Sequence, residues 1–275
     1  MKKRALRDLE RVVIFSLGAL FFFAAPARSA TLSGQSIVGG GTVEIHFPVA
    51  KYFQDIASKG GNPRAETGRA VLAFPPGFNP ARTWPILIVT STSDFHITSP
   101  MDVKLYRDAA MSEGWVILAP DATIKPRIDS TQWRLGMLAA ALDTVWRQWP
   151  QSAQWPVAFA GFSGGAKRTG TLGSMLAVGK PVNVRGFFLA GINEDRLAAG
   201  YKTFHPARNF LNVPIWLSSG ANDRIATPTA HASVRSSLEH AGFQNVRLEQ
   251  FKGVHEVQTA EVRRALRWFR EVGGF

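Results

Sequence analysis

Ile86-Leu87-Ile88-Val89 is apolar at four consecutive positions, and a strand can hide four consecutive side chains only if both of its faces are covered. Residues Pro85 to Thr90 therefore predict a central parallel strand. Trp115 to Ala119, Val157 to Ala160, Arg185 to Ala190 and Val213 to Ser219 repeat the type, and Val246 to Phe251 adds a last strand. Between them lie segments of helical period. Met101 to Glu113 carries Val103, Leu105, Tyr106, Ala109 and Ala110 and closes on Gly114. Ser130 to Gln148 places Trp133, Met137, Ala141, Leu142 and Val145 on one face and is followed by Pro150. Ala166 to Val178, Pro228 to His240 and Val257 to Arg270 complete the helices. Parallel neighbours require crossovers, so this alternation predicts an α/β fold with a mostly parallel central sheet and helices on both faces. Upstream, Thr42 to Phe47 alternates as an edge strand, with His46 on its polar side, and Gly68 to Phe74 reads as its neighbour. The glycine-rich Ser33 to Gly41 reads as loop.

The first 27 residues stand apart. Lys2, Lys3, Arg4, Arg7 and Arg11 precede the apolar run Val12 to Ala25, and Ala25-Pro26-Ala27 puts small residues where a signal peptidase reads them. This predicts a signal peptide at 1–27, with cleavage after Ala30 as the alternative, and one domain over 28–275. The expected location is periplasmic or secreted. An apolar run of about 14 residues is shorter than the ~20 a spanning helix needs, so contact with a membrane is expected only through an uncleaved leader. The chain has no cysteine, which excludes disulfides, thiolate metal sites and thiol nucleophiles. Its formal charge of +12 becomes +9 over 28–275, from 27 basic and 18 acidic residues. No nucleic-acid motif accompanies that charge, so a nucleic-acid partner is not expected.

The stretch with the most chemical content is Val157 to Gly165, VAFAGFSGG. A buried strand, then Gly161-Phe162-Ser163-Gly164-Gly165, then a helix is the pattern of a nucleophile elbow. Such a turn is so sharp that the serine's neighbours must be small, and it presents Ser163 Oγ to an incoming carbonyl. A serine hydroxyl is a weak nucleophile unless a base relieves it of its proton. Ligands of open α/β sheets sit at the carboxyl ends of strands, so partners are sought just after each strand. Asp223 follows one strand in Gly220-Ala221-Asn222-Asp223, and His255 follows the next in Lys252-Gly253-Val254-His255. The order Ser163, Asp223, His255 is one of the known orders of a serine triad. Asp195, after the preceding strand, is the second candidate acid. Asp121 reads as a turn or cap residue, and His231 and His240 as solvated helix residues. Lys167 and Arg168, in the first turn of the elbow helix, read as solvent-facing or as an attraction for an acidic substrate.

Through GFSGG at 161–165, SGANDRIATP at 219–228 and FKGVHEV at 251–257 the chain resembles the α/β-hydrolase family over essentially its whole mature length. It is most similar to compact exported esterases of the polyhydroxyalkanoate-depolymerase, feruloyl-esterase and dienelactone-hydrolase type. The resemblance implies Ser163 as nucleophile, His255 as base and Asp223 as the carboxylate that fixes the histidine tautomer. It also implies an oxyanion hole from the backbone N–H of Gly164 and one from Ser91 or Thr92. Relatives often carry His-Gly in that loop, whereas this chain reads Thr90-Ser91-Thr92-Ser93. His96 and Phe162 are candidate substrate contacts. About 22 residues separate Ala190 from Val213, too few for a cap domain, so an open cleft is expected. The expected function is an exported serine hydrolase acting on a carboxylic ester, small or polymeric, with no cofactor and no metal. The alternatives are a serine peptidase or amidase of the same fold, and a non-catalytic cell-envelope binding protein that retains it.

Overall fold

A computed structural model describes residues 30–92, 97–178 and 182–275. The expected signal segment and His96 lie outside the described residues. In chain order the elements are β1 (Ala30–Leu32), β2 (Gln35–Ile37), β3 (Thr42–Pro48), α1 (Lys51–Ala57), β4 (Thr67–Ala73), β5 (Ile86–Thr90), α2 (Ser99–Ser112), β6 (Val116–Ala122) and α3 (Thr131–Gln148). They continue with β7 (Val157–Phe162), α4 (Gly164–Leu176), β8 (Val184–Ala190), α5 (Leu197–Phe204), β9 (Ile215–Gly220), α6 (Pro228–His240), β10 (Val246–Phe251) and α7 (Thr259–Gly273).

Eight strands form one sheet in the order β10-β9-β8-β7-β5-β6-β4-β3. Strands β5 to β10 pair in parallel, whereas β3 pairs antiparallel to β4 and β4 antiparallel to β6. The central run behaves as its composition requires. Ile86 and Ile88 point into one core with Trp133 and Met137 of α3 and Leu172 of α4. Leu87 and Val89 point into the other with Tyr106 of α2 and Val262 and Leu266 of α7. Because β6 lies on one side of β5 and β7 on the other, the strand order switches direction at β5, and open α/β sheets place their ligands at the carboxyl ends of such a switch.

Three expectations need correction. The segment Ser33 to Gly41 is not all loop: β2 pairs with β1 through a turn in which Ser33 and Gly34 both take positive φ, 48° and 77°. The strand expected at Trp115 to Ala119 runs on to Ala122, which puts Asp121 inside the sheet opposite Arg69, with Arg69 Nη2 donating to Asp121 Oδ2 at 3.0 Å. It is a cross-strand ion partner and not a turn residue. His231 is fully buried and not solvated, because α6 lays that face on the loop after β8. Residues 191–214 hold α5 and a short 3-10 turn at Arg208–Asn212, with no cap domain.

Candidate active site

Ser163 joins β7 to α4 with φ 56° and ψ −123°, a conformation a non-glycine residue holds only when its surroundings force it. They do so by crowding. A Cβ on Gly161 would run into the carbonyl of Gly165, and one on Gly165 would strike the carbonyl oxygen of Thr90 and lie 3.0 Å from the carbonyl carbon of Ser91. Ser163 N–H donates to Ala190 O at 2.9 Å, and its own carbonyl accepts from Ala166 N–H at 3.0 Å. The elbow is thus fixed to β8 and to its helix. A serine at a helix N-cap ordinarily turns its oxygen back onto the helix N–H groups. Ser163 makes no such bond, and its half-buried side chain keeps its hydroxyl for other work.

The candidate acid and base follow the ends of β9 and β10. Ala221 N–H donates to Phe251 O and Asn222 N–H to Gly253 O, each at 2.8 Å, so the loops after β9 and β10 are tied together. Asp223 is buried. Its Oδ1 accepts from Ile225 N–H and Ala226 N–H at 2.8 Å each, and its Oδ2 accepts from His255 Nδ1 at 2.7 Å. Burial pushes the Asp223 carboxyl up, but the His255 bond and the two backbone donors outweigh it and hold the group below the usual carboxylate range. The His255 ring packs on Phe162, with centroids 4.6 Å apart, and over Gly191, where a Cβ would lie 2.8 Å from His255 Cε1. Phe162 immediately precedes Ser163, so the imidazole stands beside the elbow. Among the described residues no hydrogen bond links Ser163 Oγ to His255, a looseness common before substrate binds.

The loop after β5 reaches the same place. Thr90 Oγ1 donates to Gly165 O at 2.9 Å and shares a hydrogen bond with Thr169 Oγ1 at 2.6 Å. A Cβ on Gly164 would collide with Thr92 Oγ1 and lie 3.1 Å from Thr92 Cβ. Thr92 therefore lies against Gly164 and the Ser91 carbonyl carbon against Gly165, and the loop keeps this approach without a glycine of its own because Gly164 and Gly165 supply the space.

Asp195, the second candidate acid, is engaged elsewhere. Its Oδ1 accepts from Leu197 and Ala198 N–H at 3.0 and 2.9 Å, capping α5. Arg168 is not at the surface either. It is buried, and its Nη1 donates to Asp129 Oδ1 at 3.0 Å, while Arg134 donates to the same carboxylate through Nε and Nη2 at 2.7 and 2.8 Å. Lys167 remains half exposed, 3.5 Å from Glu194. Two features gave no usable sequence signal. One is the Arg134–Asp129–Arg168 cluster, whose carboxylate lies 39 positions from the second arginine. The other is His231, whose Nε2 accepts from Ile192 N–H at 3.2 Å while Nδ1 donates to Thr227 O at 3.3 Å. A carbonyl can only accept, so this pair of bonds selects the neutral Nδ1–H tautomer. Burial lowers the pKa of His231, and the backbone partners and the nearby Asp223 charge oppose that only in part. His231 fastens α6 to the loop that carries Gly191, and so it braces both sides of the Asp223–His255 pair. Among the described residues no three His, Asp or Glu side chains converge as a metal site would need, and no helix is long and apolar enough to cross a membrane.

No family model matches the chain, and no curated protein matches it by sequence. Solved structures do match it in shape. A ferulic acid esterase is 11% identical, with 86% of this chain and 100% of that chain covered and a TM-score of 0.57. Dienelactone hydrolase from Anabaena variabilis is 14% identical over 84% of this chain and 97% of its own, with a TM-score of 0.56. A thermophilic, thermostable carboxylesterase cloned from a metagenomic library is 12% identical over 86% and 90%, with a TM-score of 0.57. Together with the strand order, these likenesses define an α/β-hydrolase fold. The chain is esterase-like in architecture, and its chemistry has to be argued from its own residues.

Proposed function

We propose that the protein is a serine hydrolase that cleaves carboxylic esters through an acyl-enzyme intermediate. The observation that carries this reading is the 2.7 Å bond from His255 Nδ1 to buried Asp223, made beside a serine held at positive φ with its hydroxyl unused for capping. An ionised Asp223 can only accept, so the bond keeps the imidazole proton on Nδ1 and leaves the Nε2 lone pair to take the Ser163 proton as Oγ attacks the ester carbon. The carbonyl electron pair moves onto oxygen, where Gly164 N–H and an N–H of Ser91 or Thr92 receive it. Collapse expels the alkoxide, which takes the proton from His255. Water then enters by the same route: His255 removes its proton, the hydroxide attacks the acyl carbon, and Ser163 leaves with the proton restored.

Residues 1–27 act, in this proposal, as a cleaved leader that directs the enzyme out of the cytoplasm. The test of the mechanism is a fluorophosphonate probe with the adduct located by peptide mass spectrometry. Labelling of Ser163 in folded protein and not in heat-unfolded protein is expected. Folded protein that resists the probe refutes the serine mechanism.

A further inference from the structure

A cavity of about 160 Å³ opens at the carboxyl end of β6. It stands at the same end of the sheet as Ser163 and belongs to no part of the triad. Thr92 lies against Gly164, and Ile97 and Thr98 line the cavity. Helix α4 links the two places as well. Arg168, about 7.5 Å along the helix from Ser163, holds Asp129, which is part of the cavity wall. From β7, which bears the nucleophile, to β6 is two strand spacings, or about 10 Å.

Among the described residues the charged groups on the wall are Arg69, Lys125 and Arg134 against Asp121 and Asp129. Both carboxylates are already engaged. Asp129 accepts from two arginines, and Asp121, itself only 7% exposed, accepts from Arg69. What remains among the described residues is an excess of donors. Lys125 is exposed at the mouth with no acidic partner among the described residues. Arg69 Nε and the Thr98 hydroxyl are buried with no hydrogen-bond partner there, which is unusual for groups that cost free energy when left unsatisfied. Ile97, Ile124 and Trp133 give the remaining wall an apolar character. A donor-rich, cationic mouth on a partly apolar cavity fits a carboxylate carried on a small hydrocarbon body. At ~30 Å³ per water the volume equals about five waters, enough for that group and not for a polymer segment.

We infer that this cavity is a subsite for a carboxylate on the substrate, so that the preferred esters are monoanions whose charge lies about 10 Å from the scissile carbonyl. This inference rests on the hydrolase reading above. The experiment measures kcat/KM for two pairs of esters, each an anion and its methyl-capped neutral twin. One pair carries the group at the far end of the acyl chain (mono-4-nitrophenyl azelate and its methyl ester). The other carries it at the far end of the alcohol. In wild type one pair is expected to favour the anion at least tenfold. Lys125→Gln, an exposed change remote from the triad, is expected to remove most of that preference while leaving the neutral esters unchanged, and Arg69→Gln to remove the rest in protein that still melts cooperatively. Equal turnover of both members of both pairs overturns the subsite and leaves the hydrolase intact. So does an anion preference that survives both substitutions. If no ester is turned over and Ser163 resists the fluorophosphonate, the hydrolase reading is what fails. Calorimetric titration of Ser163→Ala protein with benzoate reads the cavity independently: binding weakened at least fivefold by Lys125→Gln supports it, and absence of binding at millimolar benzoate overturns it.

Discussion

Asp223→Asn is the most discriminating perturbation of the proposed triad. Oδ1 accepts from Ile225 and Ala226 N–H, and Oδ2 from His255 Nδ1. In the asparagine variant the amide oxygen has to remain on the two backbone donors, since turning the NH2 group toward them would oppose donor to donor. The NH2 group then faces His255 Nδ1, which must become the acceptor and pass its proton to Nε2. The base then has no lone pair for Ser163. The expected loss in kcat is about 10⁴-fold, or about 5.5 kcal/mol at 1.36 kcal/mol per decade. Because the loop keeps both backbone bonds, the protein should stay folded at neutral pH, unlike Asp223→Ala, which strands two N–H groups at about 1–3 kcal/mol each. Stopped-flow release of 4-nitrophenol from 4-nitrophenyl acetate, with circular dichroism as the folding control, measures both quantities. Folded Asp223→Asn protein within tenfold of wild type would refute the assignment of Asp223 as the residue that sets the tautomer.

Gly161→Ala drives a methyl group into the Gly165 carbonyl. It should cost about 1–3 kcal/mol and slow fluorophosphonate labelling at least tenfold, as followed by melting and by timed mass spectrometry. Asp129→Asn leaves two buried guanidinium groups on one neutral amide. The expected loss of about 3–5 kcal/mol lowers the melting temperature by roughly 10 °C for a domain of this size, and an unchanged melting temperature would contradict the cluster's role. Asp102 has its pKa pushed up to about 6, chiefly by burial, with Lys104 and Arg134 opposing. Its folded value lies above the unfolded one, so its contribution is full below about pH 4 and is lost as pH rises through 6. Asp102→Asn should therefore match wild type near pH 4 and exceed its stability by about 1–2 kcal/mol at pH 8 after solvent screening, in urea titrations at the two pH values.

The strands and amphipathic helices could be read directly because burial on both faces, or on one stripe, leaves a periodic mark. Helix α6 spans Pro228–His240 and β10 spans Val246–Phe251, as the pattern predicts. Helices α1 and α5 left no such mark. α1 has seven residues, no side-chain cap and only Ala57 buried, and α5 carries Gly200 in its middle. At the candidate site, Ser163, Asp223 and His255 could be singled out because each follows a strand whose end the topology fixes. Arg168 and His231 were not, since whether a polar residue is buried depends on what the rest of the chain lays over it. Asp129 and Ile192, which decide the two cases, are remote in sequence.

The positive φ of Ser163 sets what nature and the laboratory each preserve here. A glycine at that position would adopt φ 56° and ψ −123° without the ~1–3 kcal/mol such a conformation costs a residue with a Cβ, and would give a sturdier molecule without the hydroxyl that the proposed mechanism needs. On the proposed mechanism, selection for heat resistance alone, by survival of soluble protein, would therefore drift toward inactive chains. Only selection scored on turnover keeps the serine in place.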